Sequence, residues 1–292
     1  MKYKSTGVRA GENGLVKTNE FPLHDMGEDF FAMTTIEGGE DHFFNGIHRH
    51  DFYEVLWFSN VKSEQAHYID FVKYPIAENQ VFLLLPDQVH NMDKRGKTGF
   101  LFALSKDFFE RLIASDIFKL FYHSTNFTVV IPEEQLKLFH TLKDLIQTEH
   151  EAGKRPAILE SYIRSWFLHC IELKRKEAND RIPDSRLRIL IESVEVNFKV
   201  ERKASFYAHE LSLSPKRLNE LTKNSFGKTI TQIINERLIL EAKREISCCE
   251  KPIKEISYEL GFSEPSYFTR FFGKQTGYTP EDFRRKMGTM YN

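Results

Sequence analysis

The chain has 292 residues, of which 41% are hydrophobic and 28% are charged, and its formal net charge is −1. This length suits about two domains, each with a core of its own. Three cysteines, two of them adjacent, exclude a disulfide framework and indicate a reducing, cytoplasmic setting. The polar start predicts no signal peptide, and the longest apolar run, Val81–Leu85, is too short to cross a membrane.

The charge is distributed unevenly along the chain. From Arg181 to the end there are 20 Lys and Arg against 15 Asp and Glu, a net charge of +5. The preceding part holds 21 and 27, a net charge of −6. This asymmetry predicts a basic half that faces nucleic acid and an acidic half with another role.

The first 130 residues have the pattern of a β-structure. Short segments rich in aromatic and branched residues alternate with turn signals such as Gly38-Gly39, which predicts a β-barrel or jelly roll. A helix over 106–120 is expected to cover an open end. The predicted strands are 30–36, 53–58, 67–71 and 81–86.

A histidine-rich stretch marks the candidate site of this barrel. His48, His50 and Glu54 are spaced for one face of a strand, because side chains alternate with period two. His90 follows later. This arrangement resembles the cupin barrel, and in metal cupins these four residue types coordinate one ion. The enzyme motifs of that fold have glycine where this chain has Asn79 and Gln88.

Three interpretations of this site follow. The first is a divalent metal, and even a cupin enzyme. The second, which we favour, is a pocket for a small-molecule effector, with no metal or other cofactor and with aromatic walls. The third is a polar network that only supports the structure. The effector-site candidates are His48, His50, Tyr53, Glu54, Trp57 and His90.

Residues 133–179 predict two helices joined by a Gly-Lys-Arg-Pro turn. Each helix has one apolar stripe. The stripes either pack against the barrel or form the seam of a homodimer, which would let one protein read two half-sites. We predict a linker at 178–185. The stripe residues are Leu136, Phe139, Leu142, Leu145 and Ile146, then Leu159, Tyr162, Ile163, Trp166, Cys170 and Leu173.

The remainder contains one motif written twice, at 207–218 and 256–268. Each copy reads as a short helix, a tight turn, a serine and a longer helix closed by glycine. Leu211 corresponds to Leu260 and Ser214 to Ser263, and Leu218 corresponds to Phe268 after a one-residue insertion in the second copy. This is the layout of a helix-turn-helix, whose second helix enters the major groove of DNA.

The local chemistry of both copies fits this layout. Ser214 and Ser263 are predicted N-caps, because a serine oxygen accepts a free backbone N–H at a helix start. Pro215 suits the first helical position. Gly261 stands where the turn needs a positive φ, and Ser212 takes the matching place in the first copy.

The long helices predict a buried and an outer face. Leu218 and Leu221 face inward in the first helix, and Phe268 with Phe271 or Phe272 in the second. We predict base-edge contacts from Arg270, Asn219 and Lys216, and Lys216 is equally suited to a phosphate contact. Other cations, including Lys228, suit phosphates, and Glu220 either accepts from cytosine or balances neighbouring lysines. The DNA-contact candidates are Lys216, Arg217, Asn219, Glu220, Lys223, Ser266, Thr269, Arg270 and Lys274.

A third helix, Thr229 to Ser247, is predicted to join the two motifs. Its apolar residues recur at helical spacing, and 19 residues span about 28 Å of helix. Two recognition helices in adjacent turns of one groove lie about 34 Å apart. The connecting helix therefore has the length that such a pair needs.

Residues 186–287 resemble the DNA-binding domain of AraC-family transcription regulators. The resemblance is carried by Ile253–Ser263, Ser266–Phe272 and Thr276–Pro280. Thr222 and Gly273 depart from the family's usual Phe and Lys, and the latter change removes a possible phosphate contact. In that family cupin-like barrels usually serve as metal-free sensors.

The resemblance implies an α+β multidomain chain: a cupin-like sensor barrel at 1–130, a helical dimerisation segment at 131–180 and a tandem helix-turn-helix domain at 181–292. It implies a cytoplasmic, homodimeric, effector-controlled activator that binds promoter DNA and contacts RNA polymerase. The alternatives are a regulator that needs no ligand and uses the barrel for dimerisation, or a metal-dependent cupin enzyme.

Overall fold

The structure is a computed structural model. It describes residues 23–24, 26, 29–39, 44, 46–62, 65–112, 127–153, 155–177, 185–248 and 251–290. The chain divides between residues 182 and 183 into two compact units, called here the N-terminal and the C-terminal unit. The predicted linker at 178–185 and the polar start of the chain lie almost wholly outside the described residues. No helix among the described residues is long and apolar enough to cross a membrane.

The N-terminal unit is built on strands, as the alternating aromatic and branched segments predict. All four predicted strands are present, with bounds that differ by at most three residues. The strands are β1 Leu23–His24, β2 Phe31–Thr35, β3 Arg49–His50, β4 Tyr53–Val61, β5 Gln65–Ile69, β6 Val72–Ile76, β7 Gln80–Leu84, β8 His90–Asn91, β9 Lys97–Leu104 and β10 Phe127–Val130.

These strands form two larger sheets and one small one. The five-stranded sheet has the order β10-β7-β4-β9-β2, and all its neighbours are antiparallel. The three-stranded sheet has the order β6-β5-β8, and β1 pairs with β3 in parallel. Asn79, which stands in place of a motif glycine, has φ +58° in the turn before β7, a conformation that asparagine tolerates better than most residues.

The described part of this unit also has three α-helices: α1 Lys106–Leu112, α2 Glu133–Thr148 and α3 Pro156–Glu177. A π-helical turn, Glu149–Gly153, follows α2. Arg155 donates to both carboxylate oxygens of Glu149, at 3.0 and 2.7 Å, and so ties this turn to the start of α3. The predicted helix over 106–120 is present as α1, and its remaining residues lie outside the described part.

Each face of the five-stranded sheet belongs to a different hydrophobic core. One core joins it to the three-stranded sheet and includes Leu56, Phe82 and Ile69. The other joins its opposite face to the helices and includes Trp57 and Trp166. The five-stranded sheet therefore separates the core against the three-stranded sheet from the core against the helices.

The apolar stripes of α2 and α3 lie mostly in the second core. Phe139 and Ile146 of α2 and Ile163 and Trp166 of α3 are almost fully buried within this chain. Of the two interpretations, packing against the barrel accounts for these residues, so they do not form a dimer seam. The exposed apolar residues of the two helices are Leu138, Leu145 and Leu168.

The C-terminal unit consists of helices among the described residues. They are α4 Ser185–Asn197, α5 Ala204–Glu210, α6 Pro215–Phe226, α7 Ile230–Cys248, α8 Ile253–Glu259, α9 Pro265–Thr276 and α10 Pro280–Met290. Helix α7 is the predicted connecting helix, and it contacts α6, α8, α9 and α10. The fold class predicted from the sequence, a sheet-rich unit followed by a tandem helix-turn-helix, is confirmed.

An ion pair joins α4 to α7. Arg237 on α7 donates to Glu195 on α4 at 2.7 Å and to Glu241 at 3.0 Å, and its guanidinium lies 4.2 Å from the centre of the Phe198 ring. Burial alone would raise the pKa of Glu241, but the charges of Arg237 and Lys199 hold that pKa below its usual value. Glu241 is thus ionised beside Arg237, while the Arg237–Glu195 pair joins the two helices.

Candidate nucleic-acid interface and buried histidine cluster

The two helix-turn-helix copies share one register after the turn. Pro215 and Pro265 begin α6 and α9, and the helices end at Gly227 and Gly277, whose φ values are +70° and +78°. The two prolines are 50 positions apart, and so are the two glycines. The turn residues Ser212 and Gly261 are only 49 positions apart. The inserted residue therefore lies between turn and helix, which places Glu264, not Ser263, at the N-cap of α9.

The predicted caps have different outcomes. Ser214 is the N-cap of α6, and its oxygen accepts from the backbone N–H of Arg217 at 3.2 Å. Ser263 is not the cap of α9, so that prediction is wrong. Glu264 holds the position without a capping hydrogen bond from its side chain. Helix α9 instead relies on Pro265 at its first position.

The turns themselves adopt the predicted conformation. Ser212 has φ +54° and Gly261 has φ +76°. At Gly261 a second constraint applies, because an added Cβ would lie 2.0 Å from the carbonyl oxygen of Lys199. Arg202 supports this turn, since it donates to the Leu260 carbonyl at 2.8 Å and stacks 3.9 Å from the centre of the Phe262 ring.

The outer face of α6 carries three exposed cations, Lys216, Arg217 and Lys223. Arg217 pairs with Glu220 at 2.9 Å. Both partners are well exposed, so this pair contributes little to stability and opens at little cost. The inner face holds Leu218 and, where the second copy has Phe272, Thr222; Leu221 is only half-buried.

Asn219 was predicted to read a base, but its amide has a structural role. Its Nδ2 donates to the carbonyl of Pro215 at 3.0 Å, and its Oδ1 accepts from the backbone N–H of Ile230 at 3.1 Å. The side chain thereby joins α6 to the first turn of α7. Bidentate recognition of adenine needs both amide atoms, so Asn219 is withdrawn as a base reader.

The outer face of α9 presents Ser266, Arg270 and Lys274, which are exposed. Thr269 is half-buried, and its hydroxyl donates to the Pro265 carbonyl at 3.1 Å, the counterpart of the Asn219 bond in the first copy. Sequence reasoning omitted Tyr267, whose side chain is 53% exposed beside these residues. Its position on the outer face of a predicted recognition helix could have identified Tyr267 as a candidate for DNA contact.

The histidine cluster lies inside the N-terminal unit, and all its members are buried. His50 Nε2 lies 3.5 Å from Glu54 Oε2, and His90 Nε2 lies 3.8 Å from the same oxygen. His48 and His90 exchange backbone hydrogen bonds of 3.1 and 2.9 Å, and their rings are 4.1 Å apart. The structure thus brings together the four residues that the sequence singled out.

The structure corrects one expectation about this cluster and gives Gln88 a role in it. His48, His50 and Glu54 do not lie on one continuous strand, because a bend at 51–52 separates β3 from β4. Gln88 replaces a glycine of the motif and has a bracing role: it donates to Asp70 at 2.8 Å and accepts from the Leu85 N–H at 2.7 Å. These bonds hold the loop that leads to His90.

Tyr53 and Trp57 do not share this site, so their prediction as walls of the same pocket is wrong. Successive side chains of a strand point to opposite faces, and Glu54 is directly preceded by Tyr53. Tyr53 stacks on Phe109 with ring centres 3.8 Å apart, and Trp57 packs near Trp166. Both belong to the core between sheet and helices.

His67 belongs to the cluster although the sequence did not suggest it. Its Nε2 lies 3.1 Å from His90 Nδ1, and the residue is fully buried on β5. Burial, followed by the charges of His50 and Lys97, lowers the pKa of His67 to about 3. The ring of His67 is therefore neutral and can share a hydrogen bond with the imidazole of His90.

Comparison with known proteins bears on the C-terminal unit. Residues 207–286 match the model of a helix-turn-helix domain family. The chain is 27% identical over 154 residues to the HTH-type transcriptional activator RhaR of Cronobacter sakazakii, covering 49% of this chain and 53% of RhaR. The chain carries a helix-turn-helix domain in these residues.

A second curated relative is covered to a similar extent. The activator RhaS of Escherichia coli is 25% identical over 142 residues, which are 48% of this chain and 51% of RhaS. The chain thus spans about half the length of these curated relatives. Among solved structures, ToxT of Vibrio cholerae is 15% identical with a TM-score of 0.46, covering 90% of this chain and 100% of ToxT.

Proposed function

We propose that this protein is a sequence-specific DNA-binding transcription regulator, an activator controlled by a small-molecule effector in the N-terminal unit. The observation that carries the proposal is the repeated register of α6 and α9. Each follows a positive-φ turn, begins with proline and ends at a left-handed glycine. Two helices of the same design, joined by the 19-residue helix α7, suit adjacent turns of one major groove.

The charges on these helices support the same proposal. No described carboxylate forms an ion pair with Lys216, Lys223, Arg270 or Lys274. Cations held on an outer helix face without partners are available to DNA phosphates and bases. The salt dependence of binding would follow from the counterions that they displace.

The contacts divide into two roles within this proposal. Arg270 and Lys216 read base edges, because arginine and lysine pair with the O6 and N7 atoms of guanine. Lys223, Lys274 and Arg217 bind phosphates and fix the register of the helices on the duplex. Ser266 and Thr269 contribute shorter-range contacts at the start of α9.

The proposal includes how the protein acts at a promoter and how it is regulated. The relatives RhaR and RhaS are named as activators, which supports contact with RNA polymerase at a promoter and a cytoplasmic place of action. The exposed Leu138, Leu145 and Leu168 on α2 and α3 support a homodimer. The histidine cluster is the proposed effector site, because it gathers the polar side chains of the N-terminal interior.

The test is recovery of genomic DNA by the purified full-length protein. Sheared DNA from the source organism is incubated with the protein at moderate salt, and the bound fragments are sequenced. The proposal predicts enrichment at discrete positions upstream of genes. A double variant, Arg270→Ala with Lys216→Ala, is the control and should lose that enrichment. Uniform recovery across the genome by the unaltered protein would contradict a sequence-specific regulator.

A further inference from the structure

We propose that His50, Glu54 and His90 bind one divalent transition-metal ion inside the N-terminal unit. One ligand atom from each residue lies within 4.8 Å of the other two. The inference stands apart from DNA binding, since it concerns a different unit of the chain. It replaces the expectation of a metal-free site with a stated ligand set.

The separations suit a coordinated ion. The Glu54 oxygen lies 3.5 Å from one imidazole nitrogen and 3.8 Å from the other. Two ligands about 2.1 Å from a tetrahedral ion are about 3.4 Å apart. The three atoms therefore need only small side-chain movements to reach bonding distance, and none of the three residues has to leave its strand.

The hydrogen bond of His50 prepares the correct nitrogen. Its Nδ1 lies 2.7 Å from the carbonyl oxygen of Phe52, and a carbonyl can only accept, so Nδ1 carries the proton. The neutral ring then has its lone pair on Nε2, which faces Glu54. Metal-binding histidines commonly hold their second nitrogen in this way.

His90 has an equivalent arrangement through another histidine. Its Nδ1 and His67 Nε2 share a hydrogen bond of 3.1 Å. When His90 donates this bond, its Nε2 keeps a lone pair directed toward Glu54. His67 thus acts as a positioning residue, which selects the tautomer of His90 but does not touch the ion.

The buried polar atoms of this cluster would be stabilised by a bound ion. Glu54 is 7% exposed and His50 is 1% exposed. Among the described residues, neither Glu54 Oε2 nor His50 Nε2 has a hydrogen-bond partner. Polar atoms buried in this way cost free energy unless something satisfies them. A dication at their centre would satisfy both atoms and neutralise the carboxylate.

The ligand types select the class of metal. Two imidazoles and one carboxylate suit Zn²⁺, Fe²⁺, Co²⁺ or Ni²⁺. Calcium takes six to eight oxygen ligands and magnesium mostly oxygen and water, so one carboxylate is a poor site for either. Three protein ligands also leave room on the ion for water or for an oxygen of a small molecule.

The experiment uses Co²⁺ as a spectroscopic probe of the full-length protein. Chelator-treated protein is dialysed and titrated with CoCl₂, and visible absorption is recorded. We expect saturation at one ion per chain, with d–d bands that ZnCl₂ abolishes by competition. His50→Gln and Glu54→Gln should each weaken Co²⁺ binding at least a hundredfold, and His67→Gln about tenfold to a hundredfold.

His169→Gln is the matched control, because this histidine lies on α3, on the other side of the sheet, with its ring 6.0 Å from that of Phe139. It should leave the spectrum unchanged. Far-UV circular dichroism and the fluorescence of Trp57 and Trp166 check that each variant is folded. Folded protein that takes up no Co²⁺, or a spectrum that survives both His50→Gln and Glu54→Gln, would overturn the assignment.

Discussion

Replacing Gly261 with alanine should destabilise the second helix-turn-helix far more than the same change at Gly277. Both glycines have a left-handed backbone, with φ +76° and +78°. They differ in their surroundings. A Cβ at Gly261 would lie 2.0 Å from the Lys199 carbonyl oxygen, whereas at Gly277 it would meet nothing within 4 Å.

The magnitude follows from two contributions. A left-handed conformation costs an alanine about 1–2 kcal/mol, and this cost applies at both positions. Relieving the overlap at Gly261 requires the backbone of α8 or of the α4–α5 connection to move by more than 1 Å, and overpacking of this kind costs about 1–3 kcal/mol. Gly261→Ala should thus cost about 2–5 kcal/mol, a large part of the 5–15 kcal/mol typical of a domain.

The two units allow a clean assay in the full-length chain. Both tryptophans, Trp57 and Trp166, are buried in the N-terminal unit. In a urea titration, tryptophan fluorescence reports that unit, while circular dichroism at 222 nm also reports the C-terminal helices. Gly261→Ala should move the helical transition to lower urea and leave the fluorescence transition unchanged.

Gly277→Ala is the control for backbone strain alone. Equal losses of stability in the two variants would refute the reasoning, because the contact with Lys199 would then contribute nothing. A shift of the fluorescence transition in Gly261→Ala would also contradict it, since that change would have acted outside its own unit.

Further predictions concern the same unit. Asn219→Ala should lower its unfolding free energy by about 1–2 kcal/mol, the cost of a lost helix cap, and leave base preference unchanged in a selection from random duplexes. Arg270→Ala should weaken specific binding by about 1–3 kcal/mol and relax one base position, whereas Lys223→Ala should weaken all sequences alike and reduce the salt slope by about 1. Because the pKa of Glu241 is lowered in the fold, its stabilisation is present above the usual carboxyl pKa and is lost as pH falls through the lowered value. Glu241→Gln should therefore flatten the acid-side loss of helical stability in urea titrations.

The helix-turn-helix unit could be predicted closely because its signals are local. Proline at a helix start, glycine at a helix end and the need for positive φ act within one turn of chain. The position of the inserted residue could not be placed in this way. Ser263 and Glu264 are both acceptable before Pro265, and only the register of α9 against Phe262 and Phe268 decides between them.

Side-chain hydrogen bonds across elements were the main source of error. The sequence shows that Asn219 lies on the outer half of α6, but not that Ile230 brings its N–H within reach after the Gly227 turn. An exposed amide and a capping amide have the same sequence signature. Tertiary contact alone distinguishes a base reader from a structural residue.

Part of the histidine cluster could be predicted from the sequence and part could not. The spacing of His48, His50 and Glu54 predicts that they lie together, and they do. The same alternation excludes Tyr53 from that face, so this error could have been avoided from the sequence. His67 could not have been found, because its place beside His90 depends on how β5 pairs with β8.

The most direct test of the central claim is selection of bound duplexes from random DNA by the full-length protein and by residues 181–292. We predict a motif with two boxes about one helical turn apart, one for each recognition helix. Arg270→Ala should degrade one box, and Lys216→Ala the other. Failure of both proteins to enrich any sequence at low salt, with both folded by circular dichroism, would contradict a two-helix reader of DNA.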